Sequence, residues 1–119
     1  MATILVIDDD QIIVDLLKMV VEDAGHAAII ANGRDRIPHS LSPDLIITDL
    51  VPLKAYHEDD ARRWIAELRG RFPRVPIVIV TAHGEAVQEA DHLAADAVLG
   101  KPFDVDRLGT TLARLLPRR

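Results

Sequence analysis

Apolar positions in this chain fall into two alternating rhythms, short unbroken runs and longer stripes of helical period. Ile4-Leu5-Val6-Ile7 is a continuous β-branched-rich run, as expected of a strand covered on both faces, and it ends at Asp8, Asp9 and Asp10. Ile12, Ile13, Leu16, Leu17, Val20, Val21 and Ala24 then fall on one helical face, expected to meet the core, with Asp15, Lys18, Glu22 and Asp23 opposite. Asp10 suits the N-cap of that helix and Gly25 the residue just past its end, so residues 3–25 predict strand, acidic turn and helix.

The alternation repeats along the chain. His26 to Ala31 predicts a second strand closed by Asn32-Gly33, and Arg34 to Leu41 a helix that Pro38 limits to a turn or two. Asp44-Leu45-Ile46-Ile47-Thr48-Asp49 predicts the third strand, followed by a long polar stretch from Leu50 to Asp60. Ala61, Trp64, Ile65 and Leu68 mark a third helix ending near Gly70, and Ile77-Val78-Ile79-Val80-Thr81 a fourth strand. An Ala-rich helix around Ala86, Val87 and Ala90, a fifth strand from Asp96 to Leu99, and a closing helix marked by Val105, Leu108, Leu112 and Leu115 complete the series. Five such strands alternating with helices predict an α/β fold with a parallel sheet and helices on both faces, because parallel neighbours require crossover connections.

Composition narrows the function classes. The 119 residues have the size of one domain, expected to span 1–119, and 49% are hydrophobic while only 3% are aromatic, so the core is aliphatic. Cysteine is absent, which excludes disulfides and thiolate metal sites. A net charge of −5 argues against nucleic-acid binding through this domain. No apolar stretch approaches the roughly 18 residues of a membrane span, and Met1-Ala2-Thr3 lacks the basic start of a signal peptide. The expectation is a cytoplasmic protein, with Pro117-Arg118-Arg119 as a tail or the start of a linker.

The candidate chemistry lies where the strands end. Ligands of open α/β sheets bind beyond the strands' carboxyl ends. There the chain offers Asp8 and Asp9 after strand one, Asp49 after strand three, Thr81 at the end of strand four, and Gly100-Lys101-Pro102 after strand five. Clustered carboxylates about 5 Å apart repel by roughly 3 kcal/mol per pair at an effective dielectric of about 20. Mg²⁺, which prefers oxygen ligands, removes that repulsion and leaves one aspartate free to attack phosphorus. Lys101 suits the neutralisation of phosphoryl oxygens and the Thr81 hydroxyl can donate to another, so the set fits phosphoryl transfer onto an aspartate.

These segments resemble the receiver domain of two-component response regulators over nearly the whole chain. Ile4 to Asp10 resembles the family's first strand and acidic pair, which implies that Asp8 and Asp9 are metal-site carboxylates. Asp44 to Leu50 resembles its third strand and makes Asp49 both phosphoacceptor and metal ligand, with the backbone carbonyl of Val51 as a further ligand. Val80-Thr81-Ala82 resembles the switch-hydroxyl motif, and Gly100-Lys101-Pro102-Phe103 the Lys-Pro-Phe segment, whose Lys-Pro bond is usually cis. The resemblance implies a flavodoxin-like, doubly wound five-stranded sheet in the order 2-1-3-4-5, with Mg²⁺ as cofactor. It also implies a histidine kinase or histidine phosphotransfer protein as donor. A downstream protein partner, or a second copy, would meet the face of helix four, strand five and helix five.

The chain departs from the family pattern at four places. Pro52 comes one residue early, and the segment onward to Trp64 is about four residues longer and lacks an Asp-Gly. Val98 stands where many members carry a switching aromatic, Pro38 shortens or distorts helix two, and His83 occupies a position that tunes dephosphorylation. Two other readings remain open: a degenerate receiver that binds partners without phosphorylation, and a small haloacid-dehalogenase-type phosphatase using Asp8 and Asp10. His57, Glu58, Asp59 and Asp60 are read as a solvated loop and helix start, Arg107, Arg114, Arg118 and Arg119 as a solvated face and tail, and Trp64 as core or rim.

Overall fold

The computed structural model describes residues 2–33, 36–38, 40–49, 58–82, 95–101 and 103–116. Along these the elements run β1 (Thr3–Ile7), α1 (Gln11–Asp23), β2 (Ala27–Ala31), β3 (Leu45–Thr48), α2 (Glu58–Arg71), β4 (Ile77–Thr81), β5 (Ala97–Gly100) and α3 (Val105–Leu115). The five strands form one sheet in the order β2-β1-β3-β4-β5, every neighbour parallel.

The two-residue period of each strand divides the core into two layers. Leu5 and Ile7 of β1, Ile46 of β3, and Ile77 and Ile79 of β4 pack with Ala61, Trp64, Ile65 and Leu68 of α2 on one face. Ile4, Val6, Leu45, Ile47, Val78 and Val80 turn to the other, against Leu17, Val20 and Val21 of α1 and Leu108 and Leu112 of α3. Burial on both faces is why these strands read as unbroken apolar runs.

Local signals set the ends of the helices. The Asp10 side chain accepts from the amides of Ile12 (3.0 Å) and Ile13 (3.5 Å), and Asp104 caps α3 the same way through Asp106 (2.8 Å) and Arg107 (3.4 Å). Such caps contribute about 1 kcal/mol each. At the far end of α1, Gly25 adopts φ +87° and its amide donates to Glu22, while the His26 amide donates to Val21. This is the paired closure that a left-handed residue past a helix end permits.

Two strand-edge aspartates have a role that pattern alone did not suggest. Asp44 and Asp96 lie just before β3 and β5 rather than within them. Asp44 accepts from the Thr3 amide of β1, and Asp96 from the Ile77 amide of β4, each at 2.8 Å. Asp96 also binds the Arg69 guanidinium at 3.0 Å. Each carboxylate thereby satisfies the first amide of a neighbouring strand, at the edge of the sheet away from the acidic cluster.

Three sequence expectations are amended. The third helix begins at Glu58 rather than after Asp60. Where a second helix was expected, described residues 36–38 and 40–41 contain no α-helix; the Arg36 amide donates to Gly33 in a single turn and Ile37 is buried. Ile12 is 80% exposed instead of buried, whereas Val14 is 2% exposed. At 100° per residue Ile12 stands about 180° from Val21, so both cannot face the sheet. Ile12→Ser should therefore change unfolding free energy by no more than about 0.5 kcal/mol, measured by urea denaturation. The Ala-rich helix around Ala86 lies outside the described residues.

Candidate functional site

Backbone bonds carry the sheet ladder one step past the strand ends and so set the site. Asp8 donates its amide to Ala31 of β2 (3.2 Å), Asp49 to Ile7 of β1 (2.9 Å), and Lys101 to Thr81 of β4 (2.8 Å). Because Ile7 is level with Thr48, and Thr81 with Gly100, the next residue of each strand emerges at the same edge. Asp8, Asp49 and Lys101 meet there although 41 to 93 positions separate them in the chain.

The Lys101 ammonium lies between two carboxylates. Nζ is 2.9 Å from Asp8 Oδ2 and 3.0 Å from Asp49 Oδ2. Asp8 is 1% exposed, and its other oxygen, Oδ1, accepts from the Asp10 amide at 2.9 Å. Burial pushes the Asp8 carboxyl above its ordinary value, against the Asp10 amide and Lys101, which favour the charged form; the Asp49 charge adds to the rise. Burial pulls Lys101 down, but hydrogen bonds and charge from Asp8 and Asp49 outweigh it and hold the ammonium above its ordinary value.

Asp9 completes an acidic group. Asp8, Asp9 and Asp49 each offer a carboxylate oxygen, and these oxygens lie within 4.8 Å of one another, with Asp9 exposed to solvent. An all-oxygen set with one side open to water fits a hard divalent cation such as Mg²⁺, which keeps several of its own waters. A proton or a cation at Asp8 would relieve the same buried charge.

Thr81 is fully buried at the end of β4, between the strand that leads to Asp49 and the strand that leads to Lys101. Val98 is half-buried on β5 opposite Ile79 and packs against the core layer of α2. Asp10 does not join the acidic group: it caps α1, which removes the basis for pairing it with Asp8 in a phosphatase motif. Val51, His83, His57 and Pro102, with the Lys-Pro bond, lie outside the described residues.

One polar chain beneath the site was not anticipated. The Trp64 indole N–H donates to the Thr48 hydroxyl at 3.0 Å, and that hydroxyl donates to the Asp49 carbonyl at 2.7 Å. Trp64 and Thr48 are both buried. A buried tryptophan requires an acceptor, and a threonine in an otherwise aliphatic strand supplies one; that was the available signal.

Known proteins share this fold. The family model described as the response regulator receiver domain matches residues 4–113. Response regulator Rre1 of Synechocystis sp. is 29% identical over 98% of this chain and 52% of its own length. The DNA-binding dual master transcriptional regulator RpaA of the same organism is 34% identical over 99% of this chain and 50% of its own length. The chain thus spans about half the length of these two relatives. A response regulator receiver domain protein from Clostridium thermocellum superposes with a TM-score of 0.76 at 26% identity, covering 97% of this chain and 94% of the other. The family model over residues 4–113, together with the shared fold, assigns this chain to the response regulator receiver domain family.

Proposed function

We propose that Asp49 accepts a phosphoryl group from a histidine kinase or histidine phosphotransfer protein in a Mg²⁺-dependent reaction. The observation that carries this reading is the ammonium of Lys101 held at 2.9 and 3.0 Å between the carboxylates of Asp8 and Asp49. An Asp49 oxygen attacks phosphorus, the bond from phosphorus to the donor breaks, and the donor leaves with that electron pair. Lys101 neutralises phosphoryl oxygens as charge develops, and the Thr81 hydroxyl donates to another. Asp8 and Asp9, with Asp49, would hold Mg²⁺, aided by the Val51 carbonyl, and so bound it would screen the negative charge of both reactants.

Residues 1–119 would form one switching unit rather than an enzyme with its own substrate, acting in the cytoplasm and binding neither membrane nor nucleic acid. Phosphorylation would act through Thr81, with Val98 in place of an aromatic switch and His83 adjusting the lifetime of the acyl phosphate. The output would be contact with a downstream protein, or with a second copy, through the expected helix around Ala86, β5 and α3. Valine cannot perform an aromatic flip, which favours a second reading as a phosphorylation-independent interaction module.

Acetyl phosphate separates the two readings. With Mg²⁺ and acetyl phosphate, the intact mass of the parent should rise by one phosphoryl group while acetate leaves, and Asp49→Asn should remain unlabelled. An unlabelled parent whose melting temperature also ignores Mg²⁺ would favour the interaction module.

A further inference from the structure

We propose that Thr48 and Trp64 are positioning residues that hold the Asp49 backbone, and through it the carboxylate, in the geometry the reaction needs. The inference rests on the reading of Asp49 as phosphoacceptor and extends it to a helix on one face of the sheet. An indole N–H can only donate, so the Thr48 hydroxyl must accept from Trp64, and its single proton is then directed at the Asp49 carbonyl. The Asp49 amide is engaged at the same time by the Ile7 carbonyl at 2.9 Å. Both backbone polar groups of Asp49 are therefore tied, one to the central strand β1 and the other, through Thr48, to α2.

The surroundings give this relay its leverage. Thr48 is 0% exposed, and the remaining residues of β3, Leu45, Ile46 and Ile47, are aliphatic. In such a setting a hydroxyl without partners is costly, so the two bonds hold its rotamer and its proton. A displacement of about 1 Å can cost on the order of 100-fold in rate, and a smaller tilt of the Asp49 peptide correspondingly less. The chain contains one tryptophan, so Trp64 emission reports on this relay without a competing signal.

Three variants test the proposal: Thr48→Val removes the hydroxyl and keeps the shape, Thr48→Ser keeps the hydroxyl, and Trp64→Phe keeps a ring without the donor. Mg²⁺ affinity is measured by calorimetry in all three and by Trp64 emission in the parent and the Thr48 variants, and labelling by acetyl phosphate is followed by intact mass. The ¹³C shift of the Asp49 carbonyl is recorded by NMR. We expect Thr48→Val to slow labelling about tenfold and weaken Mg²⁺ binding about threefold, with Thr48→Ser within about twofold of the parent. Trp64→Phe should shift the Asp49 carbonyl resonance in the same direction as Thr48→Val, which keeps the test decisive if one variant fails to fold. The proposal is overturned if Thr48→Val matches the parent, or if Thr48→Ser is as impaired as Thr48→Val, since packing would then explain the loss. A parent inert to acetyl phosphate defeats the phosphoacceptor reading instead. The relay is then decided by the Asp49 carbonyl shift alone, and no change in Thr48→Val overturns it.

Discussion

Lys101→Met is expected to lower the melting temperature of the metal-free protein by about 12 °C, and Mg²⁺ to recover most of that loss without restoring phosphorylation. The Lys101 side chain is only 13% exposed, and its ammonium is the partner of Asp8, whose side chain is 1% exposed, as well as of Asp49. Removing one member of a buried ion pair strands the other charge, at about 3 kcal/mol for a site that water can partly reach. For a domain of this size each kcal/mol corresponds to about 4 °C. Mg²⁺ held by Asp8, Asp9 and Asp49 would supply the missing positive charge, so stability should return when the ion is added. The ammonium would also act on the phosphoryl oxygens, a role a cation seated on the carboxylates does not duplicate. Labelling by acetyl phosphate should stay at least about 100-fold slower than in the parent, even with saturating Mg²⁺. Thermal denaturation followed by circular dichroism, with and without Mg²⁺, and intact-mass time courses check both halves. A variant as stable as the parent without Mg²⁺ would contradict the ion-pair geometry, and one labelled at the parental rate would contradict the role given to the ammonium.

Leu68→Ala should cost about 2–5 kcal/mol of unfolding free energy, a large share of the 5–15 kcal/mol typical of a domain. Leu68 is fully buried on α2, in the layer that also contains Trp64, Ile65, Ile77 and Ile79. Truncation removes the transfer gain and leaves a cavity that a close-packed interior fills only in part. The urea midpoint should fall without a change in slope. An unchanged midpoint would mean that α2 does not pack on the sheet through this residue. The contrast with Ile12→Ser is direct: two aliphatic residues placed on helix faces by the same periodic reasoning, one supporting the core and the other standing in solvent.

That contrast shows how far local pattern reaches. The apolar runs 4–7, 45–47 and 77–80 mark strands wherever they are placed, because β-branched residues buried on both faces need no partner polarity to be recognised. Asp10 and Gly25 were legible as helix ends because caps act within a few residues of themselves. The site was legible as a set of residue types at strand ends, and the sheet order came from family resemblance rather than from periodicity. Ile12 was misplaced because a stripe of seven apolar residues spreads over more of the α1 surface than one sheet face can cover.

By itself the sequence determined the alternation of strands and helices, the aliphatic core and the oxygen-rich chemistry at the strand ends. Each of these follows from residue type and from spacing along the chain. Only the tertiary structure decided that Lys101 is shared by Asp8 and Asp49, that Asp44 and Asp96 satisfy the first amides of β1 and β4, and that Trp64 reaches Asp49 through Thr48. Apart from the bond between neighbours Thr48 and Asp49, these contacts join residues that the fold brings side by side from 16 to 93 positions apart, where no local period carries information about the partner.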